Sequence, residues 1–132
     1  MYKGAVDAMN TTSADSQRHM CVSLRELVTH SIHKLAPDNE AKEYLETLGD
    51  AEQYLHEERP TRRGRIVYIC REIERGNFSK FVNADVKSTL AFMDLLQEGT
   101  HSLEIHYTDS QLTALLSRAE GLLSFLIDIF NV

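Results

Sequence analysis

Tryptophan is absent from the 132-residue chain, and proline, cysteine and glycine are scarce at two, two and six. Cys21 and Cys70 stand singly and far apart, so no paired metal or redox spacing exists. Both read as reduced residues on apolar helical faces. Strand-like alternation is nearly missing, whereas apolar residues recur at three and four positions, so the fold class expected is all-α. No apolar run approaches the roughly 20 residues that a bilayer span requires. The longest, Gly121 to Phe130, is interrupted by Ser124 and Asp128. The opening Met1-Tyr2-Lys3-Gly4 carries no apolar leader core. These absences lead to the expectation of a soluble, cytoplasmic protein without membrane contact. With 42% hydrophobic residues, a chain of this length buries about two-thirds of its unfolded surface as one unit. The expected organisation is therefore a single helical domain over residues 1–132, standing alone or as a fragment of a longer protein. Nucleophile-elbow, phosphate-loop, dinucleotide and zinc-finger patterns are missing as well, so no cofactor and no metal is implied.

Helices are expected over residues 2–9, 14–35, 39–56 with a break at Gly49, 62–75, 79–98 and 109–130, a bundle of five to six helices. Their ends have local causes. Ala36 and Pro37 stop the second, and Gly76 with Asn77 and Gly99 stop the fourth and fifth. Thr108 followed by Gln111 writes a capping box for the last. The 79–98 segment is apolar nearly all round and reads as the central helix, with Asp85 projecting among its apolar residues. Such a carboxylate asks for a cation, and Arg25, Arg62 and Arg63 are the candidates. The last helix has an apolar stripe broader than one core needs, beside Gly121, which suggests close packing and a homodimer through this C-terminal helix.

Charge is sorted along the chain. Net charge is −6, yet six of the fourteen Lys and Arg residues, Arg59, Arg62, Arg63, Arg65, Arg71 and Arg75, fall within seventeen positions. An acidic stretch, residues 37–58, immediately precedes them. Pro60 and Thr61 mark a helix start, which puts Arg62 and Arg63 in a first turn where the helix dipole disfavours cations and an anion is wanted. At 100° per residue these two lie at the core edge, whereas Arg65, Arg71 and Arg75 share an outer face with Tyr68. Guanidinium groups around an aromatic ring suit phosphates and a stacked base, so Arg65, Tyr68, Arg71 and Arg75 are the candidate nucleic-acid-binding residues and single-stranded RNA the candidate partner.

For acid-base chemistry the candidate is His101, in what reads as a Gly99-Thr100-His101-Ser102 loop, free to reach a substrate and titrating near neutrality. His30 and His33 have helical metal-ligand spacing, but they belong to a polar stripe opposite the core stripe of Cys21, Leu24, Val28 and Leu35, as on an ordinary surface helix. Arg25 flanks that core stripe and should be partly buried and paired.

Tyr2-x-Gly4-Ala5, Arg18-His19-x-Cys21-x-Ser23-x-Arg25-Glu26, Ala36-Pro37-Asp38, Arg59-Pro60-Thr61-Arg62-Arg63 and Gly99-Thr100-His101 occur in that order. In these residues the chain resembles the predicted nuclease family associated with prokaryotic Piwi-like defence systems, and more distantly the HEPN-type all-α domains. The resemblance implies a HEPN-like helical domain in a defence system. HEPN domains often dimerise, and the active ones cut RNA without metal through an arginine and a histidine. Active members carry the arginine shortly before the histidine, but Leu95 to Thr100 contain none. If this chain cleaves RNA, His101 must borrow Arg62, Arg63 or Arg25. The departure favours a module that dimerises or docks a partner and contacts nucleic acid, with a metal-independent ribonuclease as the alternative.

Overall fold

Local signals set most of the helix ends in the computed structural model, which describes residues 14–101 and 107–130, the side chains of Ala14 and His101 excepted. The order is α1 (Ala14–Leu35), α2 (Asp38–Glu46), a single 3₁₀ turn (Ala51–Gln53), β1 (Leu55–His56), β2 (Arg59–Pro60), α3 (Arg62–Ile69), α4 (Phe78–His101) and α5 (Asp109–Phe130). The protein is all-α, with five helices among the described residues and one two-stranded hairpin. The helix expected over residues 2–9 lies outside the described residues. No helix among them is long and apolar enough to cross a membrane.

The chain divides into two compact units. The described part of the first comprises residues 14–29, 91–101 and 107–123, where Met20, Cys21, Leu24 and Val28 of α1, Met93 and Leu96 of α4, and Leu112, Ala119 and Leu122 of α5 are buried. The second comprises residues 30–90 and 124–130, with Ile32, Ala36, Ala41, Leu45, Ile66, Ile69, Cys70, Val82 and Val86 buried.

Two helices stop earlier than the periodicity suggests. Instead of running to residue 56, α2 ends at Glu46, where the Thr47 hydroxyl donates to the Tyr44 carbonyl at 2.5 Å and takes up an end-of-helix acceptor. The chain then turns into the hairpin, paired Leu55 with Pro60 and His56 with Arg59. Pro60 therefore ends a strand rather than starting a helix, and Thr61 caps α3 by accepting the Gly64 N–H at 3.1 Å. At its other end α3 stops at Ile69, because Arg71 reaches back to donate to the Tyr68 carbonyl at 2.9 Å. Gly76, with φ +56°, completes the turn into α4.

One helix runs longer. Gly99 does not end α4; the helix continues to His101, and His101 is helical rather than in a loop. Gly99 is there for contact: a Cβ at this position would overlap Cys21 Sγ and stand 3.0 Å from the Tyr107 ring. Gly121 differs, since a Cβ there meets nothing within 4 Å, so it mediates no close packing among the described residues. The all-round apolar reading of α4 also needs correction. Phe81 and Leu95 are about half exposed, and Phe81 instead joins an edge-to-face row with Phe78 and Phe125.

The hairpin turn is strained. Glu57 and Glu58 both have positive φ, 51° and 66°, the conformation that Asn-Gly adopts cheaply and glutamate does not. The double substitution Glu57→Asn, Glu58→Gly is expected to stabilise the protein by about 1–2 kcal/mol, read as a raised Tm in thermal unfolding. An unchanged or lowered Tm would show that the glutamates hold the turn by contacts worth more than the strain.

Candidate functional site

The arginine cluster is organised by one carboxylate. Arg65 is only 3% exposed; its Nη1 donates to the Ala36 carbonyl at 2.7 Å and its Nη2 to Asp38 Oδ1 at 2.5 Å. Asp38 Oδ2 faces the Nη2 of Arg59 at 3.5 Å. The outer-face reading of Arg65 is thus corrected. Residues 64–69 of α3 are all buried, so a helix this short and this enclosed has no solvent face beyond its first turn. The Arg65 guanidinium, by hydrogen bond and by charge, holds the Asp38 carboxyl below the usual carboxylate range.

The other members of that set also sit differently. Tyr68 is 9% exposed, packed edge-to-face with Tyr44, and one face of its ring is covered by Arg71 at 4.1 Å. That face is taken by a cation rather than open to a base. Arg75 is exposed and faces Glu72 at 3.8 Å. Arg62 is exposed in the first turn of α3, and Arg63 is half-buried near Tyr54. Beside Asp38 stands His33, near the end of α1. Desolvation pushes its imidazole below the ordinary histidine value; Arg65 pushes the same way, Asp38 opposes, and Arg59 and His30 add to the lowering. Among the described residues no trio of His, Cys, Asp or Glu is placed to hold a metal ion.

In the first unit, Arg25 is half-buried and paired as expected, but to an amide: its Nη1 donates to Gln97 Oε1 at 2.8 Å. Gln97 lies four residues before His101, one turn earlier along α4. The His101 side chain is outside the described residues. Two contacts reach this end of α4, and a third anchors Tyr107. Gln17 and the Tyr107 backbone exchange two hydrogen bonds of 3.0 Å, the Tyr107 hydroxyl donates to the Leu95 carbonyl at 3.1 Å, and Gly99 lies against Cys21. Sequence reasoning missed Gln17, Gln97 and Tyr107, because partners 72 to 90 positions apart leave no local signal.

Neither cysteine is poised as a nucleophile. Burial pushes the Cys21 thiol up to about 11, and burial with the Asp85 charge pushes Cys70 up to about 12. A shallow apolar hollow is lined by Leu95, Tyr107, Gln111, Ala114 and Leu115. With no charged group in its wall, it has nothing to hold a phosphate.

What the described side chains offer is arginine and histidine chemistry: Arg25 on Gln97 in one unit, and Arg59, Arg65, Asp38 and His33 in the other. Comparisons with curated proteins and with solved structures gave no match. A family model described as predicted pPIWI-associating nuclease matches residues 1–126. That match takes in both arginine-centred groups, and the chain belongs to the family of predicted pPIWI-associating nucleases.

Proposed function

We propose that this chain is a helical module of a prokaryotic defence nuclease that contacts single-stranded RNA at the end of α4. The observation that carries the reading is the Arg25–Gln97 bond, which holds a guanidinium one helical turn before His101. A HEPN-like arrangement is part of this reading: where active relatives carry an arginine shortly before the histidine, this chain has Gln97, and Arg25 is delivered to it from α1. The partner-docking part rests on α5, where Ile127 and Phe130 stay 48% and 39% exposed and a second copy would cover them.

A second reading is favoured by the family description itself. In it the chain cleaves RNA without metal, His101 serving as general acid or base and Arg25 stabilising the charge that develops on phosphorus. Arg62 and Arg63, named with it from sequence, belong to the other unit.

One assay tests both. Labelled single-stranded RNA in EDTA is incubated with the protein at 50 and 200 mM salt and scored for complex and for products. The expected result is a complex that weakens about tenfold or more between the two salt concentrations, as phosphate contacts require. Products that disappear with His101→Ala would establish the cleavage reading. Neither complex nor products would contradict both.

A further inference from the structure

We infer that α4 pairs antiparallel with α4 of a second copy of this chain, about a two-fold axis at Ser88. The surface is separate from Ile127 and Phe130 of α5, and the inference does not rest on the RNA contact.

Phe81, Ala84, Ser88, Ala91 and Leu95 recur at intervals of three, four, three and four, the spacing of a coiled-coil seam. At 100° per residue they fall within about 80° of arc on α4. All five are exposed, Phe81 by 50% although Phe78 and Phe125 stand against it, and Leu95 by 45%. The core is built from another face, by Val82, Val86, Thr89, Met93 and Leu96, centred about 140° away. The helix thus carries two seams, and among the described residues only one is buried.

The order of residues says what covers the other. Bulky side chains stand seven positions either side of Ser88, with small ones between. The seam reads alike from both ends, as an interface that meets itself requires. An antiparallel copy sets Phe81 against Leu95 and Ala84 against Ala91, so the backbones approach along the middle. The Leu95 end is also shaped to receive a ring. Leu95, Tyr107, Gln111, Ala114 and Leu115 line a hollow of about 180 Å³, and an apolar cavity of about 150 Å³ accepts benzene.

Charge sets the direction. Lys80, Lys87, Asp94 and Glu98 flank the seam on one side, all exposed and none in an ion pair among the described residues. The opposite flank carries one charged residue, the half-buried Asp85. An antiparallel two-fold lays the Lys80 flank against the same flank of the copy. Lys80 then falls between the copy's Asp94 and Glu98, about 3 Å along the axis from each. Lys87 meets its own copy near the axis, with the copy's Asp94 about 7.5 Å further along. Each basic pair is matched by an acidic one. A parallel two-fold would lay this flank against the opposite one and leave both lysines without those partners.

Sedimentation velocity of the full chain at low salt, from about 5 to about 200 μM, tests the pairing. The expected result is a concentration-dependent dimer in wild type. Ala84→Arg, at an exposed position, weakens it about tenfold or more with the thermal midpoint unchanged. Lys80→Glu weakens it about threefold or more, and adding Asp94→Lys with Glu98→Lys restores it. A monomer at every concentration, a dimer indifferent to Ala84→Arg, or a Lys80→Glu loss that the reversed acids do not repair overturns the inference. A dimer that ignores Ala84→Arg and is lost in Ile127→Asp also overturns it, and leaves the α5 docking surface standing.

Discussion

Gly99→Ala is expected to destabilise the protein by about 2–3 kcal/mol, and adding Cys21→Ala should return most of that loss. The new methyl would occupy the volume of Cys21 Sγ, and Tyr107 closes the other side at 3.0 Å. Cys21 is fully buried in α1 and cannot rotate into solvent. Alanine is favoured over glycine inside a helix by up to about 1 kcal/mol, so a net loss must come from the clash. Cys21→Ala alone removes one buried sulfur and should cost about 1 kcal/mol. Denaturant unfolding of wild type, both single variants and the double variant completes the cycle. Additive losses would mean that the two residues do not touch. A Gly99→Ala protein as stable as wild type would mean that Cys21 and Tyr107 give way without cost and that their close approach does not require glycine.

Arg65→Met is expected to cost about 2–3 kcal/mol, although it replaces a charged residue with an apolar one of similar length in a buried position. The Ala36 carbonyl, buried with its residue, loses the Nη1 donor. Asp38 suffers less, because it is half-exposed and can turn to water. The effect should depend on pH in a fixed direction. The folded-state value of Asp38 is depressed, so its contribution is complete above the unfolded carboxylate pKa, near 4, and is lost as pH falls through the folded value. The stability gap between wild type and Arg65→Met should therefore narrow in acid, below about pH 4. Urea midpoints between pH 3 and 7 read it directly. A gap that stays constant across that range would remove Asp38 from the account.

Legibility from sequence followed the range of the interactions. The capping box forms as written, with Gln111 N–H on Thr108 Oγ1 at 3.1 Å and Thr108 N–H on Gln111 Oε1 at 2.8 Å, because both partners lie within four residues. The stop at Pro37 and the cap at Thr61 are local in the same sense. The hairpin was hidden because Glu57-Glu58 carries no turn signature; the fold imposes the conformation against residue preference. Gly99 was ambiguous in principle, since a glycine that stops a helix and one that admits a neighbour look alike in one sequence. Arg65 is not where the wheel puts it because wheel geometry assumes that one side of a helix faces water, whereas residues 64–69 are buried all round and Arg65 meets Asp38 and the Ala36 carbonyl. The acidic stretch does answer the basic one, through Asp38 with Arg65 and Arg59. Which arginine would be buried depended on packing that only coordinates supply. The family was readable from the order of short motifs, but the partner of Arg25 lay 72 residues away.

RNA affinity of Arg25→Gln against wild type is the most direct measurement, by fluorescence polarisation of a labelled single-stranded oligoribonucleotide in EDTA at 50 mM salt, with equal thermal stability checked first. The account predicts an affinity about five- to tenfold weaker in the variant and a shallower salt dependence, because a guanidinium at the end of α4 has been removed. Equal affinity and equal salt slope for the two proteins would contradict it.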